Sequence, residues 1–284
     1  MYDRGENISN FLRSENNNSL ESILISYDLQ SGSYTKIAEK EKEFFQIYTN
    51  QIANTIKSLG DFKSIIEIGV GEATVLCPLM QKLSNKTLDI FGFDLSWSRV
   101  RYAKENVRKA KLNVNLFCAN LFEIPLEDNS IDLVYTSHSI EPNGGKEKEA
   151  LRELYRICNN YLVLLEPDYK NSSDQVKERM NKLGYVKNLD LHALELGYEI
   201  VKNEKFSFSK TDLNPTALTI IKKSNNSPLN KNKNYRCPIT HEKLISNENC
   251  LYSKKGGLIY PVIQDIPSLI SDSAILGSHF HKFI

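Results

Sequence analysis

Membrane spans, paired cysteines and a charge excess of either sign are all missing from these 284 residues. No apolar run approaches the roughly 20 residues that cross a bilayer. The opening MYDRGENISNFLRSENNN lacks the apolar centre of a secretion signal. Five cysteines, odd in number and scattered, exclude a disulfide framework and lead us to expect reduced thiols in a cytoplasmic setting. Lysine and arginine (36) balance aspartate and glutamate (35), so no overall field draws the chain to nucleic acid or to an anionic membrane. What is present, 40% hydrophobic and 25% charged residues, is ordinary for a globular protein with room for one large and one small domain.

The first twenty residues are polar and Asn-rich and are expected to form a mobile arm. From Lys40 to Leu59, Phe45, Tyr48, Ile52, Ile56 and Leu59 recur at steps of three and four, the spacing of an amphipathic helix. Strand patterns at 64–68, 88–93, 113–118, 131–136 and 160–166 then alternate with helical ones near 73–83, 97–109 and 146–157. That alternation predicts a parallel sheet covered on both faces. Two late strands, about 198–208 and 216–223, predict a terminal hairpin across SKTDLNPT. On the helix near 146–157, Glu149, Arg152, Glu153 and Arg156 read as a solvated face. KKSNNSPLNKNKNYR, 222–236, breaks the pattern as a linker. The chain is therefore divided into an N-terminal capping segment (1–60), a main domain (61–223), a linker (224–236) and a small domain (237–284). The small domain is too short to bury a large core alone and should lean on the main domain or a partner.

Chemistry concentrates in IIEIGVGEAT, Ile65 to Thr74. A strand ending in Gly-x-Gly and entering a helix presents backbone amides and a positive helix end at the carboxyl edge of the sheet. A dinucleotide site would want a third glycine, but Thr74 stands there. Glu67, two residues before Gly69, would repel a pyrophosphate and suits a cationic amine instead. S-adenosylmethionine carries such an amine and no phosphate. The second strand ends in Asp94, placed to take both hydroxyls of a ribose or to cap the helix that starts near Ser96.

Glu67, Gly69, Gly71, Asp94 and the segment from Ile124-Pro125 to Asp132 together resemble a class I S-adenosylmethionine-dependent methyltransferase over residues 64–166. The resemblance implies an α/β, Rossmann-like, seven-stranded, mostly parallel sheet with helices on both faces and S-adenosyl-L-methionine as cofactor. It also implies that Leu95, Asn120 and Leu121 lie along the adenosine, Asn120 where the family often has Asp. In similar enzymes a Tyr from upstream covers the methionine end. Tyr34 is that candidate, with Gln30 second and a packing role for Tyr34 as the alternative.

Acceptor residues belong beyond the carboxyl ends of the central strands. Three polar clusters fall there: His138, Glu141 and Asn143; Glu166, Asp168 and Tyr169; and Asn214 in NPT. His138 is the candidate general base, since its ordinary pKa lies near neutrality; lining the pocket is its other role. No metal spacing is seen among these carboxylates. RCPITHEKL and CLYSKKGGLIYPVIQDIPSLI, through Cys237-Pro238, Tyr260-Pro261-Val262, Asp265, Ile266 and Pro267, resemble the small zinc-ribbon-derived activator domain of several RNA and protein methyltransferases. This implies a small α+β domain. Thr240 and Ser253 stand where paired thiolates would be needed, so no zinc is expected.

The expected activity is methyl transfer to oxygen of a small polar acceptor such as a sugar or glycan precursor, with nucleic acid not the expected partner and no membrane involved. Two alternatives stay open: an RNA or protein methyltransferase with a fused activator, and a silent cofactor-binding scaffold.

Overall fold

The computed structural model describes residues 18–84, 87–209, 211–224, 229–230 and 234–283. The arm expected before residue 20 and much of the expected linker lie outside them.

Three helices come first: α1 (Leu20–Leu29), α2 (Ser33–Lys40) and α3 (Lys42–Ser58). Tyr48, Ile52, Ala53 and Ile56 form the buried stripe of α3, as the spacing predicts. Strand and helix then alternate through β1 (Ser64–Ile68), α4 (Leu76–Leu83), β2 (Asp89–Asp94), α5 (Trp97–Lys109), β3 (Asn115–Cys118), β4 (Ile131–Ser137), α6 (Glu147–Ile157) and β5 (Cys158–Pro167). Two helices not foreseen, α7 (Asp174–Lys182) and α8 (Leu189–Glu195), precede the hairpin β6 (Glu199–Lys205) and β7 (Thr216–Lys222). The seven strands run in the order β3-β2-β1-β4-β5-β7-β6. The first five are mutually parallel, and β7 is antiparallel to both β5 and β6.

All five residues of β1 are buried, because helices cover both faces of the sheet at its centre. Each isoleucine buried there contributes roughly 1.5–3 kcal/mol. Order reverses between β1 and β4, which leaves a crevice beyond their carboxyl ends. At the opposite end Asp132 accepts hydrogen bonds from the Lys63 and Ser64 amides at 2.8 and 3.1 Å, tying β4 to β1. The expected solvated face of α6 is in part a structural clasp. Arg156 donates to the Leu126 and Ile124 carbonyls at 2.7 and 2.8 Å, and Glu153 accepts from the Ile124 amide at 2.7 Å. These bonds hold the loop before β4.

A smaller antiparallel sheet follows, built from β8 (Ile245–Asn247), β9 (Cys250–Ser253), β10 (Leu258–Ile263), β11 (Ile266–Pro267) and β12 (Ile275–Leu276). Among its described residues the helical part is limited to two short 3-10 turns. It leans on the main sheet at the free edge of β3. Ser268 bridges Cys118 in parallel, and the Leu269 amide donates to the Cys118 carbonyl at 2.8 Å. Leu269 and Ile266 are buried in the two cores of the large sheet. An exposed edge strand is thereby covered. No described helix is long and apolar enough to cross a membrane.

Candidate active site

The crevice opens into a cavity of about 430 Å³, within the usual size for a small-molecule site. Its floor is the glycine turn. Gly69 and Gly71 have φ of +64° and +53°. A Cβ on Gly69 would stand 2.4 Å from the Ser139 side chain, and one on Gly71 2.5 Å from the Arg99 guanidinium. Glycine is therefore required twice, by backbone conformation and by close approach. Glu67 lines the floor and accepts a hydrogen bond from the Tyr135 hydroxyl at 2.7 Å. Burial pushes its carboxyl up to about 8; the Tyr135 bond opposes that shift and the Asp94 charge adds to it. Asp94 accepts from the Gly71 amide at 3.0 Å and the Ser96 amide at 2.9 Å, so it braces the turn and holds Ser96, the N-cap of α5, while lining the cavity. Leu95, Asn120 and Leu121 line the same wall, and Asn120 accepts from the Phe122 amide at 3.1 Å.

The N-terminal helices form the roof. Tyr34 lines the cavity, whereas Gln30 donates to the Ser26 carbonyl at 2.9 Å and is not among the lining residues. Two carboxylates fasten this roof. Glu72, buried beside Gly71, accepts from the Gly32, Tyr34 and Thr35 amides and from the Thr35 hydroxyl at 2.9, 3.4, 2.7 and 2.5 Å. It thus satisfies the first-turn amides of α2. In return Asp28 accepts from the Ser96 hydroxyl at 2.6 Å and reaches the Ser98 amide at 3.4 Å. Sequence reasoning missed Glu72, Asp28, Tyr27 and Arg99. Glu72 stood next to the motif, but its partners lie about forty residues upstream.

On the acceptor side the structure gathers His138, Glu141, Asn143 and Asn214 at the cavity wall. His138 has φ +51°. Its Nδ1 lies 2.9 Å from Glu141 Oε2, and its Nε2 lies 2.7 Å from Thr216 Oγ1. Asn214 donates to Glu141 at 3.1 Å. Burial lowers the affinity of the ring for a proton, but the bond to Glu141 and the charges of Glu141 and Glu166 outweigh it and hold the pKa above the ordinary value. A histidine with both nitrogens engaged and a strengthened hold on its proton is poorly prepared to take another.

Glu166, Asp168 and Tyr169 are not brought to this cavity. They line a separate small one behind the loop after β4. Glu166 turns inward to accept from the Ser139 and Ile140 amides at 3.1 and 3.3 Å, and burial pushes it up to about 7 against the pull of His138. Asp168 accepts from the Asn171 amide and side chain at 3.1 and 3.0 Å. Glu166 Oε1 and Asp168 bind backbone turns, and neither residue lines the main cavity, which removes the physical basis for their expected role on the acceptor.

A family model described as a methyltransferase domain matches residues 65–160. The glycine turn, both acids and the β3 loop all fall inside that match. Residues 65–160 are a methyltransferase domain on a Rossmann-like sheet.

Among curated proteins the chain is 25% identical over 146 residues to the tRNA N(3)-methylcytidine methyltransferase trm140 of Schizosaccharomyces pombe, covering 47% of this chain and 45% of that protein. It is 27% identical over 114 residues to the tRNA N(3)-methylcytidine methyltransferase Mettl2 of Drosophila melanogaster, covering 38% and 34%. The matches span less than half the length of either relative. Among solved structures, magnesium protoporphyrin IX methyltransferase from Synechocystis with bound SAH superposes with a TM-score of 0.54 at 13% identity, covering 70% of this chain and 99% of that one. That likeness is one of fold.

The methyltransferase cavity fits its cofactor. The glycine turn brings bare backbone to the cavity floor, Glu67 lines that floor as the acid an ammonium group would need, and among the described residues the buried Arg99 Nε has no partner. The tRNA methyltransferases also correct one expectation. Charge balance had argued against nucleic acid and for a small-molecule acceptor, yet both curated relatives act on tRNA. Net charge is a sum over the whole surface and says nothing of how charge is distributed. In the small sheet, the place expected to lack zinc is hydrogen-bonded. Cys237 Sγ accepts from the Thr240 amide at 3.2 Å and contacts the Tyr260 hydroxyl at 3.2 Å, and Thr240 Oγ1 lies 3.1 Å from Ser253 Oγ.

Proposed function

We propose that this protein methylates an RNA nucleotide, with a base nitrogen as acceptor and S-adenosylmethionine as donor. The observation that carries the reading is the rim beside the acceptor wall. Lys146 stands over the Phe122 ring at 5.1 Å, and Arg179 over Tyr185 at 5.8 Å. Outside the cavity, Lys177, on the same helix as Arg179, and Lys187 both face Tyr169 of the separate small cavity, at 6.0 and 5.4 Å. None of these four cations is ion-paired to a described carboxylate; on α7 the acid Glu178 is taken up by Lys182 at 2.7 Å. Phe122 and Arg179 also line the cavity. Interleaved cations and aromatic rings suit phosphates and unstacked bases. The two tRNA-methylating relatives support the same acceptor class.

When bound, the cofactor supplies a methyl group already activated by its sulfonium. Glu67 would hold its amine, Asp94 its ribose hydroxyls, and Asn120 and Leu121 its adenine. A ring nitrogen offers a lone pair directly, so alignment is the main task left to the protein. His138, Glu141, Asn143 and Asn214 would frame the base. A ribose hydroxyl of the same RNA is the second acceptor; its proton must leave as the methyl arrives, so it would need His138 freed from Glu141 and Thr216 to take that proton. Incubation with labelled S-adenosylmethionine and total tRNA, followed by nucleoside analysis, tests the reading. A labelled base is expected, and a labelled ribose would select the second acceptor. Unlabelled RNA from protein that binds the cofactor would overturn both.

A further inference from the structure

We infer that Arg99 forms the subsite for the α-carboxylate of the cofactor's methionine end. Arg99 lies in the first turn of α5, and its side chain, only 10% exposed, lines the main cavity. Its guanidinium sits against two rings, Tyr34 at 4.4 Å and Tyr27 at 5.1 Å to the centroids. Asp94 is its nearest carboxylate, at 3.9 Å, too far for a hydrogen bond. Among the described residues, its buried Nε has no partner. A desolvated guanidinium whose Nε is unsatisfied and whose ion pair with Asp94 is only a loose one at 3.9 Å is costly, and it has donors to spare for a second, closer carboxylate from outside the chain.

The missing half is identified by chemistry and position. Glu67, on one side of the glycine turn, suits an ammonium group; Arg99, on the other side against Gly71, suits a carboxylate. An α-amino acid carries both groups on a single carbon, so their two partners must flank one short stretch of backbone. The turn from Gly69 to Gly71 is that stretch. Without Arg99, an entering carboxylate would meet Glu67, Glu72 and Asp94; the other arginine among the lining residues, Arg179, belongs to the acceptor rim. Planar guanidinium and planar carboxylate match through paired N–H donors, a fit that a lysine point charge lacks.

The test compares two ligands that differ only at this group: S-adenosylmethionine and its decarboxylated form, measured by calorimetry on the full chain. The unmodified protein should bind the carboxylated ligand roughly ten- to a hundredfold more tightly, the range of one charge-assisted contact. Arg99→Met should erase that preference while leaving the affinity for the decarboxylated ligand within a few-fold; Arg99→Lys should keep part of it. Equal loss for both ligands would overturn the subsite and make Arg99 a brace between roof and floor. So would a preference that survives Arg99→Met. Matching thermal melts of the variants exclude misfolding as the cause. Failure of the unmodified protein to bind either ligand would overturn the cofactor assignment and the subsite together.

Discussion

The two halves of the cavity are built by different rules. In the cofactor half each contact is short-range in the sheet: Glu67, Gly69, Gly71 and Asp94 all sit at the ends of neighbouring parallel strands. Backbone amides and one carboxylate, Asp94, fix the turn before any ligand arrives. In the acceptor half, side chains from β4, the loop after it and the start of β7 meet across sequence separations above seventy residues. A site made of strand ends survives changes elsewhere, whereas a site made of converging loops is free to change its acceptor. That difference suggests where substitutions should hurt most.

The strongest test of the contrast acts on the roof. Glu72→Ala removes a buried carboxylate that accepts four hydrogen bonds and leaves three amides of the Gly32–Thr35 turn without it. Stability should fall by about 3 kcal/mol or more, read from the urea midpoint, and cofactor affinity should fall with it. An unchanged midpoint would mean that the N-terminal helices are not held by this residue. Next in size is Asp94→Ala. Losing a charge-assisted partner of the ribose costs ~1.5–3 kcal/mol, so cofactor affinity should drop roughly ten- to a hundredfold. Because Asp94 also braces Gly71, Asp94→Asn is the sharper variant, keeping an acceptor oxygen for the turn.

This split explains what the sequence made legible. Strands β1 to β5 and their turns are announced by apolar runs closed by Gly or Asp, so the cofactor half is local information. Helix α7 was missed because its buried residues are just Val176 and Met180, four apart, too few to show a period. Glu166 and Asp168 were placed correctly at a strand end, but their side chains turn into backbone amides, a choice set by the following loop. Arg99 resembled any surface arginine of a polar helix. Its burial comes from Tyr27 and Tyr34, brought over it by the roof.

A smaller effect, of about an order of magnitude, comes from Glu67. Its carboxyl is raised to about 8, so in the free cavity at pH 7 it holds a proton. A folded-state pKa above the unfolded one stabilises the protein fully below the ordinary carboxylate range, and that contribution fades as pH rises through about 8. A cationic amine reverses the preference. Cofactor binding at pH 7 should release a proton, measurable by calorimetry in buffers of different ionisation enthalpy. Affinity should rise roughly tenfold from pH 6 to 7 and level off above about 8. Glu67→Gln should flatten both signals; a profile unchanged in that variant would exclude Glu67 as the amine's partner.

His138 gives the smallest effect and the most informative one. A general base contributes about 10²–10⁴ in rate, so its loss would appear in kcat. A residue that only frames a base would, on His138→Ala, raise KM for RNA by less than about tenfold and leave kcat nearly unchanged. The engaged nitrogens and the raised pKa favour the second outcome. Stability gives an independent readout. The His138–Glu141 pair is fully effective below the ordinary histidine pKa, and its contribution disappears as pH rises through the raised folded value. The melting difference between the unmodified protein and His138→Ala should therefore be largest near pH 6 and shrink toward alkaline pH. A fall in kcat of a hundredfold or more, with KM unchanged and a rate that climbs through the same pH window, would instead make His138 the base. It would then move the acceptor from a ring nitrogen to a hydroxyl, the one group here that must lose a proton to receive the methyl.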